Sequence, residues 1–293
     1  MPKLIAGPVR LHRLPDGVES EPYRCFSVTP LSPTIGAVLG DIDLRGPFDD
    51  ATRAELHRAL LEWKVIFFRD QHLTGSEHRD FASMWGELEV HPFLPQGDVP
   101  EVVRFEKGVD EKGYENIWHS DVSWREVPSL GSVLRAIDVP PFGGDTLWCD
   151  MYAAYEGLPA TIRDRIDGLD AVHDFSTSFG ALMEPDALAE MQQRYPAVRH
   201  PIVRTHPDTG RKLLYVNAIF TTHIPDLDPE EGDALLERLF AQARVPEYQC
   251  RFHWEAGSLA FWDNRSTQHY ACSDYYPSVR VMERATIIGD RPI

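Results

Sequence analysis

Apolar residues recur at helical spacing over residues 50–64, where Leu56, Ala59, Leu60 and Trp63 fall at i, i+3, i+4 and i+7. This spacing predicts an amphipathic helix that runs directly into Val65-Ile66-Phe67-Phe68, an unbroken apolar run that reads as a buried strand. Thr74-Gly75-Ser76-Glu77 has the composition of a capping box and opens a second helix, with Phe81, Trp85 and Leu88 on one side. Pro159 begins a helical stretch through Ile162, Ile166 and Leu169. Asp228-Pro229-Glu230-Glu231 supplies an N-cap, a proline at the first helical position and a carboxylate at the third, ahead of Leu235, Leu236, Leu239 and Phe240.

Elsewhere the period drops to two. Tyr248, Cys250, Phe252 and Trp254 alternate with Gln249, Arg251 and His253, the signature of a half-buried strand. Strands are predicted as well over residues 133–139, 146–149, 213–216, 259–262 and 279–288. Pro140-Pro141-Phe142-Gly143-Gly144-Asp145 reads as a turn or loop; its paired glycines make no phosphate loop, because the lysine and following helix of that motif are missing. The pattern predicts a mainly β protein with helices (α+β), a jelly roll or barrel with helical insertions, as a single domain over residues 1–293.

Composition narrows the function classes. Hydrophobic residues at 43% and charged residues at 26% are ordinary for a globular protein, and no apolar run approaches the roughly 20 residues a membrane-spanning helix needs. The segment Met1-Pro2-Lys3-Leu4-Ile5-Ala6-Gly7-Pro8 is too short and too broken by proline for a secretory signal, so a cytoplasmic location is expected. Cys25, Cys149, Cys250 and Cys272 lack metal-site spacing and read as reduced thiols. A net charge of -17, from 46 acidic and 29 basic residues, disfavours nucleic acid or an anionic membrane as partner. Any anionic ligand must be held by local arginines against that field.

Candidate chemistry begins with three His-x-Asp tripeptides. His78-Arg79-Asp80 lies in a helical segment and reads as part of a solvated face; His206-Pro207-Asp208 runs into Thr209-Gly210 and reads as a loop. His119-Ser120-Asp121 is flanked by Asn116-Ile117-Trp118 and Val122-Ser123-Trp124, residues suited to extended structure. In a strand, positions i and i+2 share a face, so both side chains could reach one ion. With His269 in Gln268-His269-Tyr270 they form a two-histidine, one-carboxylate set, the facial triad of non-haem Fe(II) oxygenases.

Arg280 and Arg284 stand four apart in an apolar segment, hence on one face of a strand, with Cα atoms roughly 13 Å apart at ~3.3 Å per residue. That separation suits two anions, or one long one, and a buried guanidinium without an anion is costly. An Fe(II) centre beside an arginine suits a 2-oxo acid cosubstrate, whose far carboxylate needs a cation. Either arginine meets that need and leaves the other for a substrate.

The blocks Trp118-His119-Ser120-Asp121-Val122, Gly143-Gly144-Asp145-Thr146-Leu147-Trp148, Trp262-Asp263-Asn264-Arg265-Ser266-Thr267-Gln268-His269-Tyr270 and Arg280-Val281-Met282-Glu283-Arg284-Ala285-Thr286 closely resemble taurine dioxygenase and its relatives. The resemblance runs from about Leu31 onward. It implies a double-stranded β-helix, an Fe(II) cofactor, and 2-oxoglutarate and O2 as cosubstrates. By resemblance, His119, Asp121 and His269 ligate iron, Thr146 and Arg280 hold the distal carboxylate of 2-oxoglutarate, and Arg284 faces a small anionic substrate. His91, Ser178, Phe179 and Phe220 fall at substrate-pocket positions. Leu94 stands where the family enzyme has a pocket tyrosine, and Glu115 where it has an asparagine that helps orient taurine's amino end. Glu115 could still accept from an ammonium.

The resemblance implies hydroxylation next to the anionic group of taurine or a related sulfonate, which then collapses to an aldehyde and sulfite. Alkyl sulfates and aryloxyalkanoates are the alternatives within the family, and a dimer or tetramer is expected. Two readings outside it share the same three residues: a zinc hydrolase, which has no use for Arg280 or Thr146, and a non-catalytic barrel protein, which has no reason to keep all three ligands.

Overall fold

The computed structural model describes residues 11–91, 98–109, 111–113 and 116–293. In chain order the strands and α-helices are β1 (Ser27–Pro30), β2 (Ala37–Gly40), α1 (Asp50–Trp63), β3 (Val65–Phe68), α2 (Gly75–Ser83), β4 (Val102–Lys107), β5 (Ser129–Asp138) and β6 (Thr146–Asp150). There follow α3 (Met151–Glu156), α4 (Ala160–Ile166), β7 (Asp170–His173), α5 (Pro185–Arg194), β8 (Val198–Pro201), β9 (Val203–Thr205), β10 (Lys212–Leu214) and β11 (Thr221–His223). The chain closes with α6 (Pro229–Phe240), β12 (Gln249–Phe252), β13 (Leu259–Asp263), β14 (Thr267–Ala271) and β15 (Arg280–Ile288). Short 3-10 turns at Phe175–Thr177 and Phe179–Leu182 lie between β7 and α5. The protein is thus α+β with strands predominating. Among the described residues, no helix is long and apolar enough to cross a membrane.

Seven described strands form one sheet in the order β1-β2-β3-β13-β5-β15-β4, and a smaller sheet is ordered β12-β6-β14. The two face each other: Phe67 of β3 stacks on Phe252 of β12 at 4.1 Å between ring centroids and meets Trp148 of β6 edge-on at 5.2 Å. Strand period explains the layering. Val65, Phe67, Ala260 and Trp262 point inward to the smaller sheet, while Ile66, Phe68, Leu259 and Phe261 point outward beneath α1 and α2. Both faces of β3 are therefore covered, which is why Val65-Ile66-Phe67-Phe68 shows no alternation. Each such side chain contributes roughly 1.5–3 kcal/mol by its burial.

The caps form as their residues require. Thr74 and Glu77 complete a reciprocal capping box, and Asp228 accepts from the Glu230 amide with Pro229 at the first helical position. The predicted alternation holds from Tyr248 to Trp254, where the even positions are buried and the odd ones are not.

Several expectations require correction. His119 makes a single antiparallel bridge with His269, and residues 121–124 turn instead of extending, with Val122 at φ 47°. Val122 and Trp124, which suggested a strand, are buried within the turn, while Ile117 on the other flank is exposed. His78 is fully buried in α2, its Nε2 donating to the Val133 carbonyl of β5 at 2.9 Å, so the helix face that carries it is not solvated. His206 lies in the expected turn but is buried, with Nε2 3.0 Å from Asp263. The helix opened by Pro159 ends at Ile166, and Asp170 begins a strand.

Candidate metal centre and adjoining cavity

His119 and His269, 150 residues apart in the chain, exchange both backbone hydrogen bonds: His119 N donates to His269 O at 3.1 Å, and His269 N to His119 O at 2.8 Å. Residues directly opposite in an antiparallel pair project to the same side. The two imidazoles accordingly lie with centroids 4.2 Å apart. Asp121 enters from the turn, its Oδ1 3.9 Å from Nε2 of each histidine. Among the described residues, these three form the one group of ligand-type side chains close enough to hold an ion, with ligand atoms within 4.8 Å of one another.

The protonation states suit a cation. His119 Nδ1 donates to the Ile117 carbonyl at 2.8 Å, which leaves Nε2 with its lone pair. Burial, then the neighbouring His119, hold His269 down to about 3, so it is neutral. Burial would raise the Asp121 carboxyl, but Arg284, His269 and His119 outweigh it and bring it to about 2. A neutral His269 and an ionised Asp121 are the forms in which those groups ligate a divalent metal.

A cavity adjoins this group, lined by His119, His269, Thr146, Trp148, Arg280, Met282 and Arg284 among others. The inward positions 280, 282 and 284 of β15 thus bring both arginines to one space, as their spacing predicted. Thr146 lies at its wall and accepts a hydrogen bond from Trp254 Nε1 at 3.0 Å. An indole N–H only donates, so the threonine's own hydroxyl proton is left to point elsewhere. Gly144, at φ +69°, lets Arg280 pack against its loop: a Cβ there would meet Arg280 Cδ at 3.0 Å.

Arg284 Nη1 lies 2.9 Å from Asp121 Oδ1, and its guanidinium sits 5.1 Å over Phe105. From His119 a row of rings leads away: Phe220 at 6.5 Å, Phe179 stacked on Phe220 at 6.5 Å, and His91 at 6.1 Å from Phe179. His91 is buried, and desolvation followed by Arg284 and Arg125 lowers it to about 3, so it offers a neutral imidazole. Ser178 donates its hydroxyl to the Phe175 carbonyl at 3.2 Å. Leu94 and Glu115 lie outside the described residues.

Three contributors escaped sequence reasoning. Ser120 donates to Thr267 O at 2.8 Å, tying the Asp121 turn to β14. Trp254 was legible only as a buried strand position, and its hydrogen bond to Thr146 had no signal. Asn264, inside one of the recognised blocks, clamps the Asp121 backbone.

The model of the "Taurine catabolism dioxygenase TauD, TfdA family" matches residues 27–286. An alkylsulfatase from Acinetobacter baylyi is 34% identical over 277 residues, covering 92% of this chain and 87% of the relative. An alpha-ketoglutarate-dependent sulfate ester dioxygenase from Pseudomonas putida is also 34% identical over 277 residues, covering 92% and 91%. The crystal structure of a taurine dioxygenase from Burkholderia xenovorans superimposes with a TM-score of 0.79 at 38% identity, covering 92% of this chain and 93% of that one. Alpha-ketoglutarate is 2-oxoglutarate. The chain belongs to the taurine catabolism dioxygenase TauD, TfdA family and is a 2-oxoglutarate-dependent dioxygenase that uses Fe(II).

Proposed function

We propose that this enzyme hydroxylates the carbon next to the anionic group of an alkyl sulfate ester, with His119, Asp121 and His269 as the Fe(II) ligands. The single observation that carries the substrate class is the join between Arg284 and the ring row. A guanidinium for an oxyanion stands 2.9 Å from Asp121, and the wall from His119 to His91 runs through Phe220 and Phe179. Such a wall suits an apolar tail better than an ammonium group. The names of the two sulfate-ester relatives support the same class.

When bound, the iron would activate O2 as the oxidant: one oxygen atom would go into succinate as 2-oxoglutarate gives up two electrons and CO2, and the other would be inserted into the substrate C–H bond, which gives up the remaining two. The chain's own residues bind and orient. Arg280 pairs with the distal carboxylate of 2-oxoglutarate, and Thr146, its oxygen already engaged by Trp254, donates its proton to the same group. Arg284 and a neutral His91 donate to the sulfate, which sets the adjacent carbon toward the ligand group. Phe179 and Phe220 line the tail and exclude water. A carbon carrying both hydroxyl and sulfate then loses the sulfate: the C–O bond to sulfur's oxygen breaks, the hydroxyl proton leaves, and an aldehyde and inorganic sulfate remain.

A second reading, taurine or a related sulfonate with sulfite as the co-product, is favoured by the 38% identity to a taurine dioxygenase over 92% of the chain. Succinate release separates the two. Hexyl sulfate is expected to exceed taurine in kcat/KM by at least ~10-fold, the worth of a few buried methylenes. Equal or better turnover of taurine sinks the tail assignment; turnover of 2,4-dichlorophenoxyacetate alone moves the enzyme to the aryloxyalkanoates.

The same proposal reads the two facing sheets as a double-stranded β-helix, supported by a cavity lined from β5, β13 and β15 on one side and β6 and β14 on the other. A single domain, a homo-oligomer and a cytoplasmic location rest on the sequence reasoning.

A further inference from the structure

Of the three proposed ligands, Asp121 has no strand to hold it. His119 and His269 fix each other through paired backbone hydrogen bonds, whereas Asp121 opens a turn whose next residue, the β-branched Val122, sits at φ 47°. A β-branched residue in the left-handed region costs of order 1 kcal/mol or more and persists only where its surroundings over-determine it.

We infer that Asn264 is the residue that does so, a positioning residue for the Asp121 carboxylate. This rests on the reading of His119, Asp121 and His269 as the ligand set. Asn264 is fully buried. Its Oδ1 accepts from Asp121 N at 2.8 Å, and its Nδ2 donates to Asp121 O at 2.9 Å and to Ser129 Oγ at 2.8 Å. One amide thereby engages both backbone polar groups of a single residue, which fixes its position and the direction of its Cα–Cβ bond together. The orientation is unambiguous, because a peptide N–H can only donate. Asn264 N donates in turn to Leu130 O at 2.8 Å, so the clamp is anchored on β5.

The turn that carries Asn264 is itself held. Asp263 Oδ1 accepts from Arg265 N and Nε, both at 2.9 Å, Oδ2 accepts from Arg265 Nη2 at 2.8 Å and from His206 Nε2 at 3.0 Å, and the Asp263 carbonyl accepts from Thr267 Oγ1 at 2.8 Å. Asparagine is the residue type the position requires. Aspartate would set an oxygen against the Asp121 carbonyl, glutamine would be a methylene too long, and alanine would leave a buried N–H and C=O unpaired. Metal–ligand distances tolerate only ~0.2 Å, so a turn free to shift would weaken the site without dismantling the fold.

The test compares Mn2+ affinity, read from the free-ion electron paramagnetic resonance signal, with the melting temperature of the metal-free protein. Asn264→Ala is expected to weaken Mn2+ binding by ~10–100-fold, the range for groups that orient a ligand. Leu236→Ala, a core position of α6 that does not line the cavity beside the ligand group, is expected to lower the melting temperature and leave the affinity within about twofold. A folded Asn264→Ala protein with wild-type affinity, or a Leu236→Ala protein that loses as much, overturns the inference. If Asn264→Ala does not fold, Ser129→Ala, which removes one anchor of the amide, is expected to weaken Mn2+ by severalfold, and unchanged affinity there overturns it. Wild-type affinity in His269→Ala would instead sink the ligand set itself.

Discussion

The two walls of the reaction space are built by different means. The wall assigned by proposal to 2-oxoglutarate is sheet: Thr146 and Trp148 on β6, Arg280 and Arg284 on β15, each strand paired on both sides. The wall that runs out toward His91 is made of 3-10 turns, the β10–β11 connection and the neighbourhood of α5, a helix none of whose residues is buried. A strand position in a paired sheet cannot move without breaking a ladder, whereas a turn can be replaced at small cost. On the proposed assignment, the cosubstrate is gripped from the sheet side and the substrate tail is read from the side built of turns.

Breaking the sheet wall should have the largest effect. Arg280→Gln is expected to raise the KM for 2-oxoglutarate by ~10–100-fold, the loss of a charged hydrogen bond, while the ratio of kcat/KM between hexyl sulfate and taurine stays put. A change in that ratio would show that the two walls are not separable.

Acid tests the sheet side through its packing. Burial holds His78 down to about 4, with its Nε2 proton given to Val133 O. Above pH ~6.5 the imidazole is neutral in folded and unfolded chains alike, and full stability is present. As pH falls from there through 4, the unfolded state takes up a proton that the folded state refuses, and stability is lost. Denaturant titrations of wild type and His78→Gln should diverge over that window by on the order of 2 kcal/mol. Parallel curves would mean the helix lets in water.

The smallest effect is expected at the other wall. Phe179→Ala is expected to shift the preference between hexyl sulfate and taurine by only ~3–10-fold, with the KM for 2-oxoglutarate unchanged within error. A shift in cosubstrate KM would show that this ring also supports the sheet side.

The same division governs what was legible in the residues. Leu56, Leu60 and Trp63, the Thr74 box, the Asp228-Pro229 cap and the Tyr248–Trp254 alternation are local signals, and each forms the element it specifies. Arg280 and Arg284 could be placed on one face because a strand has a fixed period. His91, Phe179 and Phe220 carry no such period, and only the family resemblance singled them out. The turn at Asp121 was misread as strand because its apolar flanks are the same whether the chain extends or folds under itself. His78 was misread because a polar residue gives no sign of a carbonyl waiting on β5. Asn264 was read only as one position of a recognised block, since nothing in an asparagine says that its partner lies 143 positions earlier.

The strand order carries a consequence for biogenesis. β13 separates β3 from β5, and β15 separates β5 from β4, so two interior strands of the large sheet are supplied by residues 259–288. A nascent chain that has emerged only as far as α6 holds β3 and β5 with no neighbour between them, their edges open to other chains. Assembly has to wait until translation has delivered those late strands, and with them His269. On the proposed ligand set, no fragment that stops short of β14 carries all three ligands.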